Sequence, residues 1–296
     1  MNDMETNLNV ECVVKVRDQL GETPLWCERT KKLWWLDIEK PKLQSFDPET
    51  GGHNVFPTTG TFLGAHALTN TDEHLVAVDL SLCRFDATAN SMTPIAELES
   101  SIDNRLNDGR VDRRGRFWVG TMDNEYNRPN GSLYRVDPDG TAVKIFGDIN
   151  VSNGMAFSPD DKTFYFTDTR RFQTWIFDFD LDDGQISNRR LFADYSKTGE
   201  RPDGACVDAD GCLWTAFFGG GCIVRYRPDG TIDRKILVPV TNPTCICFGG
   251  NDMKTLYITT ASKFLSQKQL DAEPLAGSLL AISGVGQGLP ENRFGE

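Results

Sequence analysis

The sequence predicts an all-β fold, a six-bladed β-propeller with four-stranded antiparallel blades, from a repeated unit, its spacing and the chain length. A short apolar segment, a turn rich in Asp, Gly or Lys, and a β-branched or aromatic segment recur six times in 296 residues. Units of about 40 to 50 residues with several short strands are typical of propeller blades, which bury both faces only against neighbouring blades. The second segments begin at Leu33, Leu75, Phe117, Phe164, Leu213 and Leu256.

Each unit continues into a third strand and a weaker fourth one. Third strands are clearest in the segments that end in Asp-Pro-Asp-Gly at 137–140 and Arg-Pro-Asp-Gly at 227–230. Fourth strands are predicted at 142–146 and 235–239, where β-branched residues follow those turns. Four strands per unit complete a blade.

The chain start is predicted to close the ring. Residues 11–16 read as a strand that precedes the first full unit, and adding it to the last blade would remove exposed sheet edges. We therefore expect a single domain over 1–296. A stack of β-sandwiches is the alternative, but it gives no reason for six copies in phase.

Charge and composition narrow the function. The chain has 31 basic and 43 acidic residues and a formal charge of -12, which repels nucleic acids and anionic membrane surfaces. The first ten residues carry acids and no apolar run, unlike a secretion signal, and no stretch has the ~20 apolar residues of a spanning helix. We expect a cytoplasmic protein without membrane or nucleic-acid partners.

The cysteines and histidines do not indicate a zinc site or a nucleophile. Most of the eight cysteines lie in apolar, strand-like runs, so we expect buried, reduced thiols. The three histidines match no zinc spacing, and no Gly-x-Ser-x-Gly, Walker or dinucleotide motif is present. His66 is interpreted as a packed residue, with a catalytic role as the alternative.

A set of polar residues recurs at one phase of the repeat. Residues in phase lie at the same height beside the channel, so two carboxylates and two carboxamides are expected to converge on the axis. Burying such oxygens is costly without a cation, and they suit Ca²⁺, Mg²⁺ or Mn²⁺. The alternative is that Asn-Gly and Asp-Gly only form turns. The positions, ten to twelve residues before each second strand, are Glu22, Gly64, Asn107, Asn153, Asp203 and Thr244.

The ends of the second strands form another set, and the loops after them should wall the pocket. Arg105 precedes Asn107 by two residues and is predicted to face the mouth, where it binds a substrate oxygen or pairs with a neighbouring acid. Arg170 and Arg171 are weaker candidates, because adjacent loop arginines are commonly solvated. The strand-end positions are Asp37, Asp79, Thr121, Asp168, Phe217 and Thr260.

Several motifs together resemble the SMP-30/gluconolactonase family, which includes regucalcin and bacterial sugar-acid lactonases. The resemblance runs from about Leu20 to Glu291, and the order and spacing of the motifs carry it. The motifs are Gly-Glu-Thr-Pro at 21–24, Asn-Arg-Leu-Asn-Asp-Gly-Arg at 104–110, Gly-Thr-Met at 120–122, Gly-Ser-Leu-Tyr at 131–134, Ser-Asn-Gly at 152–154, Pro-Asp-Gly at 202–204 and Phe-Gly-Gly at 248–250.

The resemblance implies one divalent ion on the propeller axis. Its ligands would be Glu22, Asn153 and Asp203, with Ca²⁺ as the expected ion and Mg²⁺, Mn²⁺, Zn²⁺ or Fe²⁺ as alternatives. The substrate contacts of the family match Arg105 and Asn107, with Asp108 adjacent to them and Glu125 in the loop after Gly-Thr-Met. These residues are the predicted substrate-binding set.

The leading hypothesis is hydrolysis of an aldono-1,4- or 1,5-lactone, a small-molecule substrate, to the aldonic acid. In this hypothesis Asp203 is the catalytic residue, which binds the ion and accepts a proton from the attacking water. One alternative is a phosphotriesterase or aryl esterase on the same scaffold. Another is a non-catalytic calcium-binding propeller.

Overall fold

Six sheets make up the fold, and the computed structural model describes residues 5–6, 8–100 and 103–295. The predicted six-bladed propeller with four-stranded antiparallel blades is confirmed. The ends of the predicted domain, 1–4 and 296, lie outside the described residues. Before the first blade, β1 spans Glu5–Thr6 and β2 spans Glu11–Val14.

In blades one to three, the strands run in order from an inner strand at the channel to an outer strand at the periphery of the propeller. The first blade contains β3 (Gly21–Cys27), β4 (Lys32–Asp37), β5 (Lys42–Asp47) and β6 (Gly52–Pro57). The second contains β7 (Leu63–Leu68), β8 (His74–Val78), β9 (Ser81–Asp86) and β10 (Ser91–Glu97). The third contains β11 (Asn104–Val111), β12 (Phe117–Asp123), β13 (Gly131–Val136) and β14 (Ala142–Ile149).

Blades four to six follow the same order, with one short helix in the sixth. The fourth contains β15 (Ser152–Phe157), β16 (Thr163–Asp168), β17 (Gln173–Asp180) and β18 (Gln185–Asp194). The fifth contains β19 (Arg201–Val207), β20 (Leu213–Phe218), β21 (Cys222–Tyr226) and β22 (Ile232–Leu237). The sixth contains β23 (Pro243–Gly249), β24 (Thr255–Thr260), α1 (Gln267–Ala272) and β25 (Leu279–Ser283).

The chain start pairs with the last two blades. Strand β2 lies antiparallel to β25, with Glu11 opposite Ala281, and is the outermost strand of the sixth blade. Strand β1 lies parallel to β22 of the fifth blade. No helix among the described residues is long and apolar enough to cross a bilayer.

The core lies between successive blades. Each inner strand contacts the next, and β23 contacts β3, so the six inner strands form a closed ring. Trp118 of the third blade packs against Phe164 and Phe179 of the fourth, with ring centroids 5.3 and 5.8 Å apart. Because each fully buried aromatic or aliphatic side chain stabilises by ~1.5–3 kcal/mol, a blade depends on its neighbours.

A β-bulge interrupts the pairing near the start of each inner strand. In β3 the ladder breaks after Glu22, and in β15 it breaks after Asn153, where Gly154 has a φ of 58°. Asn107 and Asp203 lie inside the bulges of their own strands. Because a bulge bends the strand and redirects its side chains, these polar residues turn toward one end of the channel.

The C-terminal segment crosses the other end of the channel. The backbone N–H of Phe294 donates to Leu68 O at 2.8 Å, and the Arg110 guanidinium donates to both carboxylate oxygens of Glu291 at 2.8 and 2.9 Å. Arg110 also donates to Ala205 O on the fifth blade. The segment therefore ties several blades together opposite the cavity described below.

Glu291→Ala should lower stability without changing the cavity. The Arg110 side chain is only 13% exposed, and removing the carboxylate leaves it without a counter-charge. Breaking such a buried ion pair lowers the free energy of unfolding by about 3–5 kcal/mol. Thermal and urea unfolding measure the loss. Glu49→Ala, on an exposed turn, is the control, and equal stability of the two variants would contradict this role for the C-terminal segment.

Gly64→Ala should also destabilise the propeller. A Cβ at this position would lie 2.1 Å from Leu106 O of the neighbouring inner strand, so the backbone of one blade must move, which costs about 1–3 kcal/mol or more. Gly147→Ala is the matched control, because its Cβ would meet only side-chain atoms, the nearest 3.4 Å away on Lys144. Equal melting temperatures of the two variants would show that the strands are not in this close contact.

Candidate active site

A cavity of ≈ 360 Å³ opens at the end of the channel toward which the bulges turn their side chains. Five of the six blades contribute to its wall, and no described residue of the second blade lines it. The loops that follow β12 and β16 line it, as predicted from the sequence, and the last residue of β20, Phe218, lines it as well. Predicted site residues that line it are Glu22, Arg105, Asn107, Glu125, Asn153 and Asp203.

The floor of the cavity contains two carboxylates and one carboxamide. Glu22, Asn153 and Asp203 come from blades one, four and five and are 7%, 4% and 6% exposed. Glu22 Oε2 accepts a hydrogen bond from the Thr23 backbone N–H at 3.0 Å. Within the described residues, neither Glu22 nor Asp203 forms an ion pair with a lysine or arginine.

Burial determines the protonation of these acids. It raises the pKa of the Glu22 carboxyl, and the charge of Asp108 raises it further. Burial also raises the pKa of Asp203 well above its ordinary value, and the charge of Glu22 adds to the effect. Arg105 opposes both shifts without reversing them. The floor is therefore a site where negative charge is under-compensated, a feature of catalytic and cation-binding sites.

A hydrogen-bond chain fixes the orientation of Asn153. Thr169 Oγ1 donates to Pro202 O at 2.7 Å, so it accepts the hydrogen bond from Asn153 Nδ2 at 3.0 Å. The carboxamide oxygen of Asn153 must then point away from Thr169, and Asn107 Nδ2 lies 3.3 Å from it. Thr169 thus orients the amide and ties it to the residue before Asp203.

Arg105 is held rigidly on the wall of the cavity. It is 2% exposed, and its Nη1 donates to Leu106 O at 3.1 Å and to Asn107 Oδ1 at 2.5 Å. The guanidinium also lies 5.5 Å from the Phe62 ring centroid. No carboxylate pairs with it within the described residues, which favours the predicted substrate contact over the ion-pair alternative.

Asp108 has a different position from the one predicted. It does not line the cavity, because its Oδ2 accepts a hydrogen bond from the Met155 backbone N–H at 2.9 Å. Met155 lies inside the bulge that follows Asn153. The bulge of β11 separates the directions of Asn107 and Asp108, so Asp108 holds the backbone of the β15 bulge at Met155 and does not line the cavity.

His66 and the strand-end acids also lie outside the cavity lining. The Nε2 of His66 lies 2.8 Å from Thr23 O, in the bulge that follows Glu22. Burial lowers the pKa of His66 to about 4, so the ring is neutral. Asp37 and Asp168 accept hydrogen bonds from the backbone N–H groups of the segments that enter β3 and β15. Asp37 and Asp168 therefore anchor loops, and none of the six strand-end residues lines the cavity.

One part of the rim was not predicted from the sequence. Lys263 Nζ donates to the Tyr126 hydroxyl at 2.7 Å and pairs with Glu39, which joins loops of blades six, three and one. The Phe264 ring packs edge-on against Tyr126 and Phe218, with centroids 6.2 Å apart in both pairs. Three aromatic rings and a neutralised lysine therefore form one section of the rim.

The other section of the rim is polar. Glu125 and Arg170 line the cavity on loops of the third and fourth blades, and Arg201 lines it at the start of β19. Arg171, next to Arg170, turns outward and pairs with Asp148. The two adjacent arginines differ in the direction in which the loop points their side chains, which the sequence does not reveal.

Comparison with known proteins identifies the family. The model of the SMP-30/gluconolactonase/LRE-like region matches residues 20–262. The chain belongs to the SMP-30/gluconolactonase/LRE-like family. A 6-deoxy-6-sulfogluconolactonase of Pseudomonas putida is 38% identical over 277 residues, 93% of this chain and 94% of the relative. Regucalcin of Gallus gallus is 33% identical over 297 residues, 98% and 99% of the two chains.

A solved structure shares the fold of this SMP-30/gluconolactonase family member. The crystal structure of a calcium-binding protein, regucalcin, from Agrobacterium tumefaciens superposes with a TM-score of 0.94 at 29% identity and covers 98% of each chain. Among the described residues of the present family member, no three His, Cys, Asp or Glu side chains converge as a metal site. The predicted ligand set contains only two such residues, with Asn153 as its third.

Proposed function

We propose that this family member hydrolyses a sugar lactone to the open aldonic acid with the help of one divalent ion. The observation that carries the proposal is the floor of the cavity, where two buried carboxylates, with no ion-pair partner among the described residues, lie beside an oriented carboxamide. Family membership and a relative named as a sulfogluconolactonase support hydrolysis of a cyclic ester.

The chemistry of the floor fits a hard divalent ion. Two anionic oxygens and one neutral oxygen are the ligand types that Ca²⁺ and Mg²⁺ take, and few protein ligands leave positions for water and substrate. The ion would be held by Glu22, Asn153 and Asp203. The pKa of each of the two carboxyl groups is raised because its negative charge is buried, and a bound cation would compensate that charge. Ca²⁺ is the proposed ion, since the regucalcin relative is described as calcium-binding. When bound, the ion would act as a Lewis acid toward the ester carbonyl and toward water.

The side chains of this chain supply the remaining steps. Asp203 would accept a proton from the water that adds to the carbonyl carbon. The ring C–O bond then breaks, and the ring oxygen takes up a proton to give the hydroxy acid. Arg105 would hold substrate oxygens with its fixed guanidinium, Asn107 would orient the sugar beside it, and Glu125 would accept hydrogen bonds from sugar hydroxyls.

Acid release from a panel of aldono-1,4- and 1,5-lactones tests this function. A pH-indicator assay, corrected for spontaneous opening, should show turnover that EDTA abolishes and that Ca²⁺, Mg²⁺, Mn²⁺ or Zn²⁺ restores. Faster turnover of aryl esters or phosphotriesters than of any lactone would favour the esterase alternative. Full metal occupancy with no turnover would favour a calcium-binding protein.

A further inference from the structure

Two arginine side chains at the cavity rim have no protein partner in the part of the chain that the structure describes. Arg170 and Arg201 both line the cavity and are exposed. Among the described residues, no carboxylate pairs with either guanidinium and no hydrogen bond from either guanidinium is present. The chain has 43 acidic and 31 basic residues, so carboxylates outnumber the cationic side chains that could pair with them. Arginines on a cavity wall without an ion pair are therefore unexpected.

Neighbouring arginines show that acceptors are available. Arg171, adjacent to Arg170, pairs with Asp148 and Asp168, at 2.8 and 3.3 Å. Arg128, on the loop of the third blade, pairs with Asp103 and Asp123. Arg170 differs from Arg171 in that it faces the cavity. Its guanidinium is therefore available to bind a ligand in the cavity.

As far as the structure describes the chain, the acids near the two arginines form no ion pair with them. Glu200, the residue before Arg201, accepts a hydrogen bond from Thr198 Oγ1 at 3.0 Å. Glu125 also lines the cavity but forms no ion pair within the described residues, while Lys263 is already matched by Glu39. Arg170 and Arg201 therefore lie at the rim with no described carboxylate in ion-pair contact with either guanidinium.

The position of the arginines fixes which end of a substrate they meet. The Glu22 and Asp203 carboxylates are buried at the floor, whereas Arg170 is on the loop after β16 and Arg201 begins β19. Consecutive blades supply them. A lactone whose ester lies on the floor would extend its other end toward these guanidinium groups, and a cavity of ≈ 360 Å³ is within the usual range for small-molecule sites.

We propose that Arg170 and Arg201 form an anion subsite and that the lactone carries an anionic substituent, a sulfonate, phosphate or carboxylate, on the carbon farthest from the ester. This inference rests on the proposed lactone hydrolysis. Guanidinium groups bind such oxyanions through paired hydrogen bonds, so the subsite selects charged sugar lactones over neutral ones.

The test compares a neutral hexonolactone with its 6-sulfonated, 6-phosphorylated and 6-carboxylate counterparts. Wild type should have a higher kcat/KM for at least one charged lactone, and the ratio of charged to neutral kcat/KM should fall roughly 10- to 100-fold in Arg170→Gln/Arg201→Gln. Added salt should lower the same ratio in wild type. Lys162→Gln/Lys197→Gln removes the same two positive charges from exposed residues outside the cavity lining; it is the control and should keep the wild-type ratio.

The outcomes separate this inference from the proposed function. Turnover of the neutral lactone with no preference for a charged one, or an unchanged ratio in the double variant, would overturn the subsite and leave lactone hydrolysis standing. If no lactone is opened, calorimetric binding of 6-phosphogluconate decides: binding that the double variant loses supports the subsite, and absent or equal binding overturns it. Circular dichroism checks that each variant is folded.

Discussion

Asp203→Asn should keep the propeller folded and lose most of the lactone-opening activity. The amide has the shape of the carboxylate but neither its charge nor its basicity, so kcat/KM should fall on the order of 10² to 10⁴-fold, the range for a lost general base. Removing one of two buried like charges also relieves repulsion with Glu22, so stability should not decrease. Initial rates and thermal unfolding measure the two effects.

The comparison with a surface acid makes this result specific. Asp183→Asn, in the exposed turn between β17 and β18, removes the same charge far from the cavity and should leave the rate unchanged. Full activity of Asp203→Asn with an unchanged metal content would remove Asp203 from the mechanism.

Arg105→Lys should lower activity although it keeps the positive charge. The lysine cannot reproduce a planar guanidinium that donates to Asn107 Oδ1 while presenting further N–H groups to the cavity. Loss of one or more charge-assisted hydrogen bonds costs about 1.5–3 kcal/mol, so kcat/KM should fall roughly 10- to 100-fold. Steady-state kinetics on the best lactone of the panel measure the fall.

Arg113→Lys provides the matched control for this substitution. Arg113 is exposed and pairs with Asp161 in the turn region at the opposite end of the inner strands, away from the cavity lining. Equal kinetics of Arg105→Lys and wild type would indicate that Arg105 serves only to pack against Phe62 and Asn107.

The repeat made much of this molecule predictable. Six copies of one strand pattern specify six blades, and four of the six in-phase positions line the cavity, whereas Gly64 and Thr244 do not. The phase argument worked because every inner strand has its bulge at that position, so Glu22, Asn153 and Asp203 turn the same way. The bulges themselves were not predicted, and nothing in the sequence indicates that Asp108, placed with Asn107 in the substrate-binding set by the resemblance, accepts a hydrogen bond from the Met155 backbone instead.

The repeat pointed to the loops that wall the cavity but not to the side-chain contacts of the rim. Tyr126 and Phe264 lie in irregular loops with φ of 59° and 63°, and such loops have no period that a sequence pattern could reveal. Lys263 meets Tyr126 across 137 residues of sequence, a contact that only the closed ring creates. Arg170 and Arg171 are equivalent in sequence, and only the fold of their loop directs Arg170 to the cavity.

Calcium titration of wild type and Asn153→Ala by calorimetry tests the account most directly. The account predicts one site in wild type and clearly weaker binding in the variant, at an unchanged melting temperature of the calcium-free proteins, because Asn153 contributes an oriented carboxamide oxygen to the floor. Identical calcium binding by the two proteins, or no binding of Ca²⁺, Mg²⁺, Mn²⁺ or Zn²⁺ by wild type, would contradict the proposed site.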